Sequence, residues 1–252
     1  ESPLEAAPRL SRRLGNRILF KREDLQPVFS FKLRGAYNKI SHLSDTVARR
    51  GVICASAGNH AQGVALAAKM LGTKATIFMP EGAALPKVAA TEGYGADIKF
   101  HGSGVTEALV PATAFAEETG AVLIHPFDHE DILAGQGTVG LEILEQCPDV
   151  KTILVPVGGG GLLAGIGTAV RALKPGVTLV GVEPEHAACL TAAIAAGKPV
   201  PVKVLPTLAD GLAVAQIGAA PLEVLRRVVD QVVTVDEASI ALSILRLIEL
   251  EK

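Results

Sequence analysis

The feature that most constrains the fold is a repeated alternation of short apolar segments with segments of helical character. Strands are predicted at Gly51–Ala55, Thr73–Met79, Ala96–Phe100, Ala121–His125, Thr152–Val157, Thr178–Val182 and Gln231–Val235. Helices are predicted in most of the intervals, and one is expected to open at Gly135 and to run to about Cys147. Consecutive strands joined by helices run parallel and are covered on both faces. The pattern therefore predicts an α/β protein with doubly wound parallel sheets, in which a strand such as Thr152–Val157 is buried.

Composition and charge exclude several classes of protein. The 252 residues are 49% apolar and carry a formal net charge of −2, so the chain lacks the basic balance typical of nucleic-acid-binding proteins. No uncharged apolar run reaches the length of a membrane span. Cys54, Cys147 and Cys189 are odd in number and far apart. This pattern argues against a disulfide framework or a zinc site and favours a reducing compartment.

One lysine stands in apolar company. Lys32 lies between Phe31 and Leu33, directly before a helical segment that starts near Arg34. A lysine held against apolar neighbours has a lowered pKa, because burial disfavours its charged form, and its neutral amine can form a Schiff base with an aldehyde. The alternative is an ordinary lysine at the N-terminus of a helix, and this segment alone does not separate the two interpretations.

Two turns between a strand and a helix are candidate anion sites. The first turn follows the strand Gly51–Ala55 and comprises Ser56, Ala57, Gly58, Asn59 and His60. The second follows the strand Thr152–Val157 and comprises Gly158, Gly159, Gly160 and Gly161. The free N–H groups and the dipole at a helix start favour an anion, and glycines let the backbone approach it closely.

The glycine turn allows two kinds of ligand. The stretch Gly159–Ala164 has the G-x-G-x-x-A spacing of a dinucleotide fingerprint, and Glu183 ends the next strand, near the place where an acidic residue would hold a ribose. A dinucleotide, however, explains this turn alone. Pyridoxal phosphate explains three features together, because its aldehyde requires a lysine such as Lys32, its phosphate a glycine-rich helix start, and its phenolic oxygen a donor such as Asn59.

Taken in order, these motifs resemble a known family. The segments Ser30–Ala36, Ser56–Gly63 and Gly158–Leu162 look like those of the fold type II pyridoxal-phosphate enzymes, and the likeness extends to Phe127–His129, Ala134–Thr138 and Asp210–Val214. Within that family the chain is most similar to the biosynthetic threonine dehydratases (threonine deaminases). The resemblance implies a tryptophan synthase β-like α/β fold with two three-layer αβα domains and mostly parallel sheets. A large domain is expected over 1–48 and 129–252, and a small inserted domain over 49–128.

The resemblance implies a role for each matching residue. Lys32 is expected to carry pyridoxal 5'-phosphate and to remove the α-proton of the substrate, while Phe31 packs against the cofactor ring and Asn59 bonds to its phenolic oxygen. The phosphate is expected on the backbone of Gly158, Gly159, Gly160, Gly161 and Leu162. The substrate carboxylate is expected at the helix start formed by Ser56, Ala57, Gly58, Asn59 and His60.

The implied reaction is the β-elimination of water from L-threonine, which gives 2-oxobutanoate and ammonia and serves isoleucine biosynthesis. L-serine is the expected weaker substrate. The implied partner is therefore a small amino acid, with no nucleic acid and no membrane. The resemblance further implies a homo-tetramer in the cytoplasm, or in a plastid if the source is a plant.

Two alternatives remain. Serine racemases resemble the same family, but they carry a second serine where this chain has Ala57, and an aspartate where it has Cys189, six residues after Glu183. A methyl group cannot reprotonate the α-carbon. A hard divalent cation prefers oxygen ligands, so no metal site is expected here. The other alternative is a non-catalytic protein of the same fold that senses amino acids or acts as a scaffold.

The resemblance also bears on the extent of the chain. The family continues beyond the point that corresponds to Lys252, with further sheet and a serine or cysteine that meets the pyridine nitrogen. Many biosynthetic members add an allosteric domain that senses isoleucine. We expect these 252 residues to be most of a catalytic domain, without the C-terminal part of the large domain and without the regulatory domain.

Overall fold

The computed structural model describes residues 1–251 and divides the chain into two units. Unit 1 contains Glu1–Glu23 and the residues from Gly137 onward, and unit 2 contains Asp24–Gln136. The helices are α1 (Pro8–Leu14), α2 (Lys32–Ser41), α3 (Asp45–Ala48), α4 (Asn59–Met70), α5 (Leu85–Gly93), α6 (Val105–Thr119), α7 (Glu130–Gln146), α8 (Gly161–Leu173), α9 (Cys189–Ala196), α10 (Ala219–Val228) and α11 (Glu237–Leu250). The strands are β1 (Leu4–Ala6), β2 (Leu19–Lys21), β3 (Val52–Ala55), β4 (Ala75–Met79), β5 (Asp97–Phe100), β6 (Val122–Leu123), β7 (Thr152–Pro156), β8 (Thr178–Pro184) and β9 (Gln231–Val235). The domain division predicted from the resemblance is a different partition of the chain and stays a prediction.

Unit 2 is built on a parallel sheet with the strand order β5-β4-β3-β6. Every residue of β3 is buried, and successive residues face opposite sides of the sheet. Val52 and Cys54 join a core that includes residues of α2 and α4. Ile53 and Ala55 join a second core that includes residues of α6. Helices therefore cover both faces of this sheet, as the alternation of strands and helices predicts.

Unit 1 contains a parallel sheet with the order β7-β8-β9 and a small antiparallel ribbon of β1 and β2. The prediction that β7 is a buried strand was wrong for one of its faces. Ile153 and Val155 are buried, but Leu154 between them is 66% exposed. The apolar run indicated a strand correctly but did not reveal that only one side of it is covered.

The start of α7 was also predicted wrongly, because the helix begins at Glu130 and not at Gly135. Gly135 lies inside the helix, where a Cβ atom would come within 2.6 Å of the Arg34 carbonyl oxygen and of Gly35 Cα. A Cβ atom on Gly35 would lie 2.4 Å from Gln136 Nε2. These glycines therefore allow the close approach of α2 and α7, and they do not initiate a helix. Among residues 1–251, no helix combines the length and apolar character that crossing a membrane requires.

Candidate active site

Lys32 is the first residue of α2, and its amine is buried. Nζ donates a hydrogen bond to the carbonyl oxygen of Pro126 at 2.8 Å and lies 5.2 Å from the centre of the Phe31 ring. Although the residue as a whole is only partly buried, burial of the amine lowers the pKa of Lys32 to about 8. An ordinary surface lysine has no such environment. A neutral amine is thus accessible near physiological pH, which is the property a nucleophile or proton acceptor needs.

The backbone that leads into α2 is strained. Phe29 adopts a left-handed backbone conformation with φ of 54°, and the residue is 74% exposed. Ser30, which follows it, is 6% exposed, and its hydroxyl oxygen has no hydrogen-bond partner among the described residues. Conformations of this kind persist only where the surrounding structure holds them, and they concentrate at functional sites.

The turn of residues 56–60 leads from β3 into α4. Gly58 directly precedes the helix, and its N–H donates to the Ser56 hydroxyl at 3.2 Å. The first N–H groups of a helix have no partner within it. Those of Asn59, His60 and Ala61 therefore lie at the end of a twelve-residue helix that favours an anion. Asn59 is exposed, so its side chain is open to a ligand.

His60 plays a structural part that sequence reasoning missed. The residue is 4% exposed, and its Nε2–H donates to the carbonyl oxygen of Ile124 at 2.7 Å. Burial and, next, the positive charge of Lys32 lower the pKa of His60 to about 3. The imidazole is therefore neutral, and it anchors the segment after β6. The expectation that His60 helps to receive the substrate carboxylate concerns its backbone N–H and stays a prediction.

His125 organises the same segment through local hydrogen bonds. Its Nδ1 atom accepts hydrogen bonds from the N–H groups of Phe127 at 3.3 Å and Asp128 at 2.8 Å. Its ring meets the Phe127 ring edge-on, with 4.8 Å between the centres. Burial lowers the pKa of His125, which favours the neutral form that these two bonds require. Residues 124–128 are thus held by two neutral histidines and present the Pro126 carbonyl to Lys32.

The glycine turn between β7 and α8 keeps its carbonyl groups engaged within unit 1. The Gly158 oxygen accepts from Cys189 Sγ at 3.3 Å, the Gly159 oxygen from the Gly218 N–H at 3.3 Å, and the Gly160 oxygen from the Ala164 N–H at 3.0 Å. The N–H groups that open α8 have no partner within the helix. The turn therefore has the arrangement that favours a phosphate: its acceptors face protein and its first helical donors remain for a ligand.

Gly160 is favoured by its backbone conformation, and Gly158 is closely packed. Gly160 has a φ of 88°, and a Cβ atom there would lie 2.9 Å from Ile217 Cδ1 and 3.0 Å from Pro221 Cβ. A Cβ atom on Gly158 would lie 3.1 Å from Val214 Cγ2. The turn is thus set in a fixed conformation against its neighbours.

Glu183 does not have the environment of a ribose ligand. It is 1% exposed, and its carboxylate accepts from the N–H groups of Leu190 at 2.6 Å and Thr191 at 2.9 Å, and from the Thr191 hydroxyl at 2.8 Å. The carboxylate is thus committed to the first turn of α9. The dinucleotide interpretation therefore loses the acidic residue on which it depended.

Comparison with known proteins identifies the family of this chain. A family described as pyridoxal-phosphate-dependent enzymes matches residues 1–252. The chain is 47% identical over 243 residues to an L-threonine ammonia-lyase of Thermotoga maritima, across 96% of this chain and 61% of that protein. The processed form of threonine deaminase isoform 2 from Solanum lycopersicum matches 99% of this chain and 73% of its own, with a TM-score of 0.96 and 42% identity. Maize serine racemase matches 99% of this chain and 75% of its own, with a TM-score of 0.95 and 37% identity.

The curated relatives are longer than this chain, which spans 61%, 46% and 60% of the length of three of them. The predicted α/β fold and the resemblance to fold type II enzymes and threonine dehydratases are confirmed by these likenesses. The chain belongs to the family of pyridoxal-phosphate-dependent enzymes.

Proposed function

We propose that this chain is the catalytic part of an L-threonine dehydratase (threonine ammonia-lyase), which converts L-threonine to 2-oxobutanoate and ammonia and acts more weakly on L-serine. The observation that carries the proposal is the Lys32 amine, whose pKa is lowered to about 8 and which donates to the Pro126 carbonyl oxygen at 2.8 Å. The names of the relatives, L-threonine ammonia-lyase and threonine deaminase, support the choice of substrate.

Each turn, taken by itself, offers backbone donors to an anion, which would suit a phosphate at one and a carboxylate at the other. The backbone N–H groups of the segment Gly158–Leu162 would hold the phosphate, since the start of α8 offers donors without intrahelical partners. The start of α4 would receive the carboxylate of the substrate, with Asn59 directed to the phenolic oxygen and Phe31 against the ring. When bound, pyridoxal phosphate supplies an aldehyde for amines and a ring that takes up electrons from the α-carbon.

Lys32 would move the proton. A base must be neutral to accept a proton, and with a pKa of about 8 a sizeable fraction of the amine is neutral at physiological pH. Lys32 Nζ would take the α-proton of L-threonine, and the resulting ammonium would donate to the Pro126 carbonyl oxygen. The β-hydroxyl would leave with one proton as water, which balances the proton that Lys32 removes. The remaining enamine would tautomerise to an imine, and hydrolysis of its carbon–nitrogen bond would give 2-oxobutanoate and ammonia.

A product assay with two substrates tests the proposal. We expect the purified full-length protein with pyridoxal phosphate to form 2-oxobutanoate from L-threonine faster than pyruvate from L-serine, and to lose both activities in Lys32→Ala. Conversion of L-serine to D-serine without elimination would favour the racemase alternative, which the likeness to maize serine racemase supports. A protein that binds threonine without forming product would fit the non-catalytic alternative. The homo-tetramer and the cytoplasmic or plastid location implied by the resemblance also stay predictions.

A further inference from the structure

The segment between β6 and α7 offers Lys32 an acceptor whose direction is fixed. The Pro126 carbonyl and the Phe127 N–H belong to the same peptide unit, and none of the described peptide bonds is cis. In a planar trans peptide the carbonyl and the N–H point in opposite directions. The Phe127 N–H is bound to His125 Nδ1 at 3.3 Å, while the Pro126 oxygen accepts from Lys32 Nζ at 2.8 Å. Holding one side of this peptide therefore aims the other.

Two further bonds make the segment rigid. The Asp128 N–H also donates to His125 Nδ1, at 2.8 Å, so one ring nitrogen closes a tight turn around Pro126. On the other side, the buried His60 holds the Ile124 carbonyl at 2.7 Å. Proline has no N–H and a restricted φ, which reduces the freedom of this turn.

From these contacts we infer that the Pro126 carbonyl receives the Lys32 amine whenever the amine of a substrate has replaced it on the cofactor, and that His125 is the positioning residue that aims this carbonyl. The inference rests on the proposed role of Lys32. A freed amine in a desolvated site needs an acceptor, because a buried donor without a partner costs about 1–3 kcal/mol. The carbonyl oxygen of Pro126 is such an acceptor.

Titration of the loaded enzyme with L-alanine tests this inference. L-alanine can displace Lys32 but has no leaving group on its β-carbon, so the absorbance change reports displacement without elimination. His125→Ala removes the acceptor for the Phe127 and Asp128 N–H groups, and we expect it to raise the half-saturating L-alanine concentration about fivefold, the effect of one lost hydrogen bond. His125→Asn retains a side-chain acceptor near the turn and is expected within about twofold of wild type, since asparagine commonly bonds the backbone N–H two residues on. His101→Ala, at an exposed position after β5, is the matched control and should match wild type.

An unchanged L-alanine titration in His125→Ala, or an equal loss in His125→Asn, would overturn the positioning role. If His125→Ala does not fold, a crystal structure of the wild-type enzyme with L-alanine shows whether the Pro126 carbonyl receives the displaced amine. Lys32 Nζ within about 3.2 Å of the Pro126 oxygen supports the inference, and a separation beyond about 4 Å contradicts it. The titration requires only attachment of the cofactor to Lys32. It can therefore succeed in a protein that forms no 2-oxobutanoate, and loss of the visible absorbance in Lys32→Ala checks the attachment separately.

Discussion

The Nε2–H of His60 donates to the carbonyl oxygen of Ile124 at 2.7 Å, which fixes the tautomer of a histidine that is 4% exposed. The bond links the first turn of α4, where we place the substrate carboxylate, to the segment that presents the Pro126 carbonyl to Lys32. A positive charge on this imidazole would repel the positive charge of the Lys32 ammonium. The neutral ring therefore lets Lys32 remain the group that changes its charge.

The pKa of His60 leads to a prediction about acid stability. An unfolded histidine titrates near 6.5, whereas burial and the charge of Lys32 lower the pKa of His60 to about 3 in the folded protein. Between these values the unfolded state binds a proton that the folded state does not, so stability falls as the pH falls. We expect the free energy of unfolding of His60→Asn to decrease less steeply than that of wild type between pH 6 and about 4.5, by up to about 1.4 kcal/mol per pH unit. Denaturant titrations at several pH values measure this, with the exposed His101→Asn as control; equal slopes for His60→Asn and wild type would contradict the buried, neutral state.

Lys32 should lower the stability of the protein without cofactor. Its pKa is lowered from 10.5 to about 8, so the stability that depends on this group decreases as the pH falls from 10.5 to 8 and stays low below that range. Lys32→Met removes the ammonium and keeps an apolar side chain of similar length. We expect the free energy of unfolding of this variant to be about 1–3 kcal/mol higher than that of wild type at pH 7, with a smaller difference at pH 10. Chemical denaturation without pyridoxal phosphate provides the comparison. A variant less stable than wild type at pH 7 would show that burial of the charged amine does not destabilise the protein.

Gly160 should be intolerant of a side chain. Its φ of 88° strains the backbone in Gly160→Ala whatever the space around it, and a Cβ atom would also come within 3.0 Å of Pro221 Cβ. We expect the affinity for pyridoxal phosphate to fall at least tenfold, with a much smaller change for pyridoxal, which lacks the phosphate. Gly176→Ala is the matched control, because nothing lies within 4 Å of a Cβ atom there. Equal losses for both ligands would mean that the glycine turn does not hold the phosphate.

Ala57 should decide between elimination and racemisation. It lies in the turn before α4 and is partly buried, so a serine there adds a hydroxyl that can exchange a proton. We expect Ala57→Ser to gain measurable formation of D-serine from L-serine, by chiral chromatography, while wild type forms none above background. Formation of D-serine by wild type at a rate comparable to elimination would show that the methyl group is no barrier.

The sequence predicted the motifs of the site better than the contacts that support it. Lys32 and the glycine turn stand in recognisable local patterns, since a strand, a small turn and a helix start are all set by neighbours in sequence. The Pro126 carbonyl contacts a group that no local pattern connects to it, because it meets Lys32 across 94 positions of the chain. Such tertiary contacts are invisible to periodicity.

Two errors in the predicted elements have the same origin. Gly135 was interpreted as a helix start. It lies inside α7, where the backbone of α2 would come within 2.6 Å of a Cβ atom at this position. Leu154 was interpreted as buried because it stands in an apolar run, yet it is 66% exposed. In both cases the residue type reflects its neighbours in space, and these depend on the complete fold.

We expect Lys32 to carry pyridoxal phosphate. Reduction of the loaded enzyme with borohydride makes the linkage between lysine and cofactor permanent, and mass spectrometry of the digested protein then locates it. We predict one modified peptide that contains Lys32, with no modification when L-alanine displaces the lysine before reduction. Modification of another lysine in place of Lys32, or none at all in a protein that retains its visible absorbance, would contradict the account.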